Sequence, residues 1–340
     1  MGARDEAVMV TGGYGYMGAQ CVAALLDSGY DVVILDNRST GSAVIGDRLK
    51  DIESEGRIIG DVEADLLDPC ALDMAMKEYK VDSVVHLAAL SCVEESVRRP
   101  EKYSDNNVVG TRNLLEAMRA NGVDRIVFSS SAAVYGEPKR VPVDEEQPLV
   151  PINPYGETKM LAERLMDEYD SSCGIRSVRL RYFNIAGADG QGRVGESHDP
   201  ETHLIPNILS AALDGNRAFS IYGDDYPTRD GTCVRDYVNV EDLADAHLLA
   251  LDYLRQGGGT DCFNLGTERG HTVKEVFETC ERVTGTRIPV VIQGRRPGDP
   301  AVLVADSGKA RRILGWTPSR SLEDSVRSAF EWEKTKRSLR

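Results

Sequence analysis

The sequence is short of the features that mark secreted, membrane-spanning or nucleic-acid-binding chains. Its 340 residues hold seven cysteines (21, 70, 92, 173, 233, 262 and 280), an odd and scattered set with no C-x-x-C pair. That spacing excludes a disulfide framework and predicts small thiols in a reducing compartment. No apolar run approaches the roughly 18 residues needed to cross a bilayer. Met1 to Glu6 is too short and too charged for a signal peptide, so the expectation is a soluble, cytoplasmic protein. Basic residues are in deficit, 40 Lys+Arg against 55 Asp+Glu, for a formal charge of −15. Long-range repulsion then disfavours nucleic acid and anionic membrane as partners, but leaves room for a small anionic ligand held by local donors. Repeats and low-complexity tracts are also lacking. What remains, 41% hydrophobic and 28% charged residues, is the balance of a globular chain and not of a disordered one. The length suits about two domains or lobes.

Short runs rich in Val, Ile and Leu recur at 7–11, 31–36, 57–61, 83–86, 125–130 and 177–182. Amphipathic stretches at 17–28, 69–79, 100–120 and 154–169 separate them. Strands alternating with helices predict βαβ units, and near-continuous apolar strands predict a parallel sheet covered on both faces. The fold class is therefore α/β: a doubly wound parallel sheet of Rossmann type, with a second, smaller mixed α/β lobe towards the C-terminus. The dinucleotide-type domain is expected over 1–183, with later segments near 233–266 interleaved into it. The lobe is expected over 184–232 and 267–340.

Thr11-Gly12-Gly13-Tyr14-Gly15-Tyr16-Met17-Gly18 stands between a strand and a helix. Glycines there permit a tight turn and close backbone approach, and the helix N-terminus offers amides and a positive dipole to a diphosphate. Asp36 closes the second strand, where a carboxylate accepts from a ribose diol and repels a 2′-phosphate, favouring NAD over NADP. A plain glycine-rich turn with Asp36 as a strand cap is the alternative. The strand ends at Asp61-Val62 and Leu87-Ala88-Ala89 would lie on the same carboxyl edge, as ligand contacts or as simple termini.

Asn153-Pro154 reads as an N-cap followed by proline at the first helical position. Tyr155 and Lys159 then share a helix face at i, i+4. A neighbouring ammonium, with the positive nicotinamide nearby, favours phenolate, drawing a phenol that titrates near pH ~10 towards use as a general base. Ser131, ending a buried strand, would bridge phenol and substrate oxygen. Taken alone, Y-x-x-x-K is as well explained by an exposed helix face.

With these motifs stand L-D-N (35–37), S-D-N-N-V-V-G-T (104–111), S-S-S-A-A-V-Y-G (129–136), R-Y-F-N (181–184), Y-P-T-R-D-G-T-C-V-R-D-Y (226–237), F-N-L-G (263–266) and R-R-P-G-D (295–299). Together they resemble the UDP-glucose 4-epimerase family of the extended short-chain dehydrogenases/reductases, from about residue 7 to about 333. The resemblance implies Ser131, Tyr155 and Lys159 as catalytic residues. It implies NAD contacts from Gly12, Gly15, Tyr16, Met17, Gly18, Asp36, Asn37, Asp61, Val62, Leu87, Ala88, Ala89, Asn106, Ser129 and Tyr182, besides Tyr155 and Lys159. For a UDP-sugar it implies Asn184, Arg235, Arg296 and Asp299, with Leu204 and Tyr222 at the uracil end and His203 bordering the substrate. The implied reaction interconverts UDP-glucose and UDP-galactose through a 4-keto sugar, in galactose metabolism. A homodimer formed by helices near 100–120 and 154–169 is implied too.

Ser131 is followed by Ala132-Ala133, where dehydratases and decarboxylases of the superfamily carry an acid, so that chemistry lacks its proton carrier. Asn184, where uronic-acid epimerases commonly have Thr, favours a neutral sugar. Ser91 and Ala19-Gln20 depart from the Lys and Ser-His of some members. Leu303 stands where a Tyr restricts the pocket in narrow members, so some turnover of UDP-N-acetylglucosamine is expected, and UDP-xylose/UDP-arabinose remains open. A non-catalytic NAD-binding regulator on the same fold is the rival of another class. Glu196, His198, Asp199, Glu201 and His203 superficially suggest a metal site but are expected to form a solvated loop, with no metal.

Overall fold

The computed structural model describes residues 7–40, 43–53, 56–215, 217–296 and 300–339. In chain order its strands are β1 (Ala7–Thr11), β2 (Asp31–Asp36), β3 (Ile58–Glu63), β4 (Val81–His86), β5 (Arg125–Ser131), β6 (Arg176–Tyr182), β7 (Asn184–Ala186), β8 (Phe219–Tyr222), β9 (Val234–Asn239), β10 (Asp261–Leu265), β11 (Gly270–Thr272), β12 (Val290–Gln293) and β13 (Val302–Leu303). Seven form one parallel sheet in the order β10-β6-β5-β4-β1-β2-β3. The strand order reverses between β1 and β4, the point where a doubly wound sheet opens a crevice outside its carboxyl ends.

Alternate residues feed two cores. Val8, Val10, Val32, Ile34 and Val85 face one side, beneath helices Tyr16–Asp27 and Val240–Arg255. Met9, Val33, Leu35, Val84 and Phe128 face the other, beneath helices Pro69–Glu78, Gly110–Asn121 and Pro154–Cys173. Burial on both faces explains why these strands read as continuous apolar runs.

A smaller sheet is built around β9, which pairs antiparallel with β11 and parallel with β7 and β13. Its core of Ile205, Ile208, Tyr237, Phe277 and Val326 is supplied largely by helices Leu204–Asp214, Val273–Thr284 and Leu322–Ser338. β8 and β12 form a separate parallel pair.

Three expectations change. The stretch near 233–266 does not all join the large sheet: β10 and helix Val240–Arg255 do, whereas β9 is the centre of the small one. Helix Gly308–Leu314 and Trp316, assigned to the lobe, pack instead on the large-sheet core, which Ala310, Leu314 and Trp316 help to fill. The helix expected over 100–120 is interrupted. It runs Pro100–Ser104, widens into one π turn at Asp105–Val109, and resumes at Gly110–Asn121. Such turns often mark functional positions, and this one carries Asn107 inward.

Trp332, 1% exposed, joins the C-terminal helix to the large-sheet core and donates from Nε1 to the Glu196 carbonyl at 2.7 Å. Trp332→Ala removes that contact and leaves a large cavity. Urea unfolding of the variant is expected to show a loss of about 3–5 kcal/mol; a loss below about 1 kcal/mol would contradict this role.

Candidate active site

The glycine loop is packed backbone against backbone. A Cβ on Gly18 would lie 1.9 Å from the Gly12 carbonyl oxygen, and one on Gly12 would lie 2.7 Å from the Ala88 nitrogen. Gly12 also holds φ at +72°, a region that favours glycine. The loop therefore turns tightly into helix Tyr16–Asp27, with Gly12 donating to the Leu35 carbonyl and Gly15 to the Gly12 carbonyl. Gly12, Gly15, Asp36, Asn37, Leu87, Ala88, Ala89 and Asn106 line that crevice together, joined by Ser39, Thr40 and Leu90, which the sequence did not single out. Asp36 accepts the Tyr14 amide at 3.0 Å and the Arg38 amide at 2.7 Å, one on each oxygen. Each oxygen keeps a lone pair for a ribose hydroxyl. A loop with no room for a Cβ at Gly12 or Gly18, beside a carboxylate fixed by backbone amides, fits a dinucleotide.

Other expected cofactor residues are placed differently. Asp61 is exposed and pairs with Arg38 at 3.3 Å; Val62 neighbours it on β3. Asn37, in the crevice lining, is also tied to Asp65 at 2.8 Å. Tyr16 donates its hydroxyl to the Gly187 carbonyl, and Met17 is buried. The Tyr182 hydroxyl is engaged with His247 Nε2 at 2.6 Å, behind the strand end.

A chain of buried polar contacts runs under the crevice. Thr11 Oγ1 meets His86 Nδ1 at 2.7 Å, and His86 Nε2 meets Thr111 Oγ1 at 3.0 Å. Thr111 donates to the Asn107 carbonyl at 2.6 Å, and Asn107 Nδ2 donates to Thr158 Oγ1 at 3.0 Å. Asn107 also brackets Leu90, accepting its amide and donating to its carbonyl, each at 2.9 Å. Those bonds need the side chain pointing inward, which accounts for the π turn. Burial, with the Lys159 charge adding, pushes His86 down to about 3, so it is neutral. Asn106, expected at the cofactor, donates to Asn107.

The chain of contacts ends on helix Pro154–Cys173, the candidate catalytic helix. Asn153 caps it by accepting the Gly156 amide at 2.9 Å, with Pro154 in the first turn. Tyr155 and Lys159 share the face towards the end of β5. Ser131 lies beside Tyr155, where its hydroxyl works to lower the phenol's titration. Lys159 donates from Nζ to the Ser129 carbonyl at 2.7 Å and lies 4.9 Å from the centre of the Phe128 ring. Burial pushes the Tyr155 phenol up and the Ser131 hydroxyl opposes it; the lowering expected from the sequence rests on Lys159 together with a bound nicotinamide charge. Lys159 is itself buried and pushed down to about 7, with Glu163 opposing, and its ammonium is directed at Ser129.

On the substrate side, Asn184 opens β7 opposite Tyr237 of β9. Arg235 of β9 is buried and faces Leu303 of β13 in register. The Arg296 guanidinium stacks 4.1 Å over the Tyr222 ring, a pair the sequence named separately. His203 caps and Leu204 begins helix Leu204–Asp214. Asp299 lies outside the described residues.

The solvated loop expected at 196–203 is instead an ion-paired cluster. Donor atoms of Glu196, His198, Glu201 and His203 all lie within 4.8 Å of one another. Buried Glu196 accepts from His198 Nδ1 at 2.8 Å and from His203 Nδ1. Burial alone would raise Glu196, but the imidazoles hold it at about 2; His203, which burial would lower, is raised by Glu196 to about 9. The carboxylate thus already has its counter-charge. A cleft of about 790 Å³ opens elsewhere, among Arg269, His271, Arg311, Arg320 and Glu323. It holds none of the predicted site residues, and its Arg311 and Arg320 are paired with Glu268 and Asp242.

Comparison with known proteins agrees with this geometry. The sequence profile of the family described as GDP-mannose 4,6 dehydratase matches residues 9–329. The UDP-glucose 4-epimerase of Lactobacillus helveticus is 48% identical over 330 residues, 96% of this chain and 97% of that one. The crystal structure of UDP-glucose 4-epimerase from Brucella ovis in complex with NAD is 43% identical with a TM-score of 0.89, covering 96% of this chain and 97% of that one. That of the Stenotrophomonas maltophila enzyme, with bound NAD and formylated UDP-arabinopyranose, is 39% identical with a TM-score of 0.94, covering 98% and 100%. Through its full-length relatives and its glycine loop, Tyr155/Lys159 pair and β5 serine, the chain belongs to the UDP-glucose 4-epimerase family of extended short-chain dehydrogenases/reductases.

Proposed function

We propose that the protein is an NAD-dependent 4-epimerase of a UDP-sugar, interconverting UDP-glucose and UDP-galactose. The observation that carries this reading is the Tyr155/Lys159 pair set against the end of β5, with Lys159 donating to the Ser129 carbonyl and Ser131 beside Tyr155. A non-catalytic relative has no need of that arrangement. A dehydratase needs a further acid, and Ala132-Ala133 follow Ser131 where it would stand.

Gly12, Gly15 and the first turn of helix Tyr16–Asp27 would hold the diphosphate of NAD, and Asp36 its adenine ribose. The bound dinucleotide supplies the reversible hydride acceptor. Ser131 orients the sugar 4-hydroxyl towards Tyr155. The phenolate accepts that proton as C4 is oxidised, and Lys159 provides the positive charge that favours the phenolate. Arg235 and Arg296 would clamp the UDP diphosphate, for which the guanidinium fork is suited, with Asn184 nearby. An anchored UDP and sparse sugar contacts let the 4-keto sugar turn over and regain hydride on its other face. Tyr155 then returns the proton.

Tyr155→Phe should retain NAD and lose UDP-galactose epimerisation by about 10²- to 10⁴-fold, measured without added reductant; undiminished turnover would remove Tyr155 from this role. Leu303 faces Arg235 and is smaller than Tyr, so the parent should turn over some UDP-N-acetylglucosamine and Leu303→Tyr should not. Equal activity of both proteins on that sugar would contradict a gate at Leu303. Exposed Val93, Val97 and Val109 lie at or beside the helices proposed to pair in a homodimer. Light scattering is expected to give twice the 37.2 kDa chain mass, and a single mass would remove the dimer.

A further inference from the structure

Three consecutive serines at the end of β5 each meet one turn of helix Pro154–Cys173. The Ser129 carbonyl accepts from Lys159, the Ser130 hydroxyl donates to Glu163, and Ser131 lies beside Tyr155. Tyr155, Lys159 and Glu163 follow one another at i, i+4 steps and so lie along one helix face. The reaction described above uses the first two and leaves the third without a part. Glu163 is 2% exposed and takes Arg181 through Nε at 2.9 Å and through Nη2. Arg181, also buried, sits opposite Ser130 in the β5–β6 register. It donates to the Tyr135 hydroxyl at 2.8 Å, which donates to Asn264 Oδ1 at 2.7 Å. The helix face is thus tied through two strands to the far edge of the sheet.

We propose that Glu163 is a positioning residue for the reaction: its carboxylate locks the Ser129–Ser131 strand end to the catalytic helix and offsets the Arg181 charge, so that Lys159 stays an ammonium beside Tyr155. The proposal rests on the epimerase reading. The groups around this face are Tyr155 and Glu163 on its own helix, neutral His86 of β4, Phe128 of β5, Arg181 and Tyr182 of β6, Tyr135 after β5, and Cys262 of β10 beside Arg181. Burial is what lowers Lys159, and Glu163 is the charge that opposes it. Lysine is active as the cation, so activity falls as pH rises through its titration.

The two partners of the ion pair therefore act with opposite sign. In Glu163→Gln the Arg181 guanidinium stands unopposed, Lys159 loses its proton earlier, and the alkaline limb of kcat on UDP-galactose should move to lower pH by about one unit. In Arg181→Gln the unopposed carboxylate should move that limb to higher pH. The double variant should return near the parent. KM for UDP-galactose should hardly change, because neither residue touches substrate. A purely structural role would lower kcat at every pH without separating the two limbs. Coincident limbs in an active set of variants, or both single variants moving the same way, would overturn the proposal. If Glu163→Gln does not fold, Arg181→Gln and the double variant decide by the same criterion. An inactive parent enzyme would instead sink the epimerase reading.

Discussion

A parallel sheet buried on both faces leaves only its strand ends for chemistry, and this constraint organises the molecule. Between Val8 and Val10, or Val32 and Ile34, every side chain is taken up by packing on one core or the other. Polar groups therefore gather where strands stop: Thr11, Asp36, His86, Ser131 and Tyr182 are the last residues of β1, β2, β4, β5 and β6. Because all seven strands are parallel, those ends share one edge. The reversal of strand order between β1 and β4 opens that edge into a crevice. The glycine loop follows β1 at that edge, and the helix that carries Tyr155 and Lys159 is tied to the end of β5.

The polar layer beneath the crevice links the two. Thr11, His86, Thr111, Asn107 and Thr158 pass hydrogen bonds from the strand that carries the glycine loop to the helix that carries Tyr155. Each is buried, and a buried polar group without a partner is costly, so the layer holds together as a unit. The acidic surface and the site have opposite character. The chain has a formal charge of −15, whereas the site proposed for two anionic diphosphates draws on Lys159, Arg235 and Arg296. Net charge describes the outside of this protein and not its pocket.

Much of this was legible in the sequence because it is local. The valine-rich strands, the Asn153-Pro154 start of the catalytic helix, the glycine loop and the Tyr155/Lys159 spacing all depend on neighbours within a few residues. The unread features depend on distant partners. The π turn exists because Asn107 must reach Leu90 and Thr158. β9 joins the small sheet because β7, β11 and β13 complete it there. The Glu196 cluster gathers because a buried carboxylate draws in two imidazoles, one of them seven residues away. Glu163 could have been noticed, as an acid one turn beyond Lys159, but its value lies in Arg181 on another strand.

The position of β10 has a consequence for how the protein is made. This edge strand closes the large sheet against β6, yet it is encoded after the centre of the small sheet. Helix Val240–Arg255, which covers the same core as helix Tyr16–Asp27, arrives almost as late. A nascent chain leaving the ribosome can assemble β1 to β6 and the helices between them, but it then carries an unpaired β6 edge and a bare apolar face. Both invite association with other chains. The interval between synthesis of β6 and synthesis of β10 is where this protein most needs chaperone shelter.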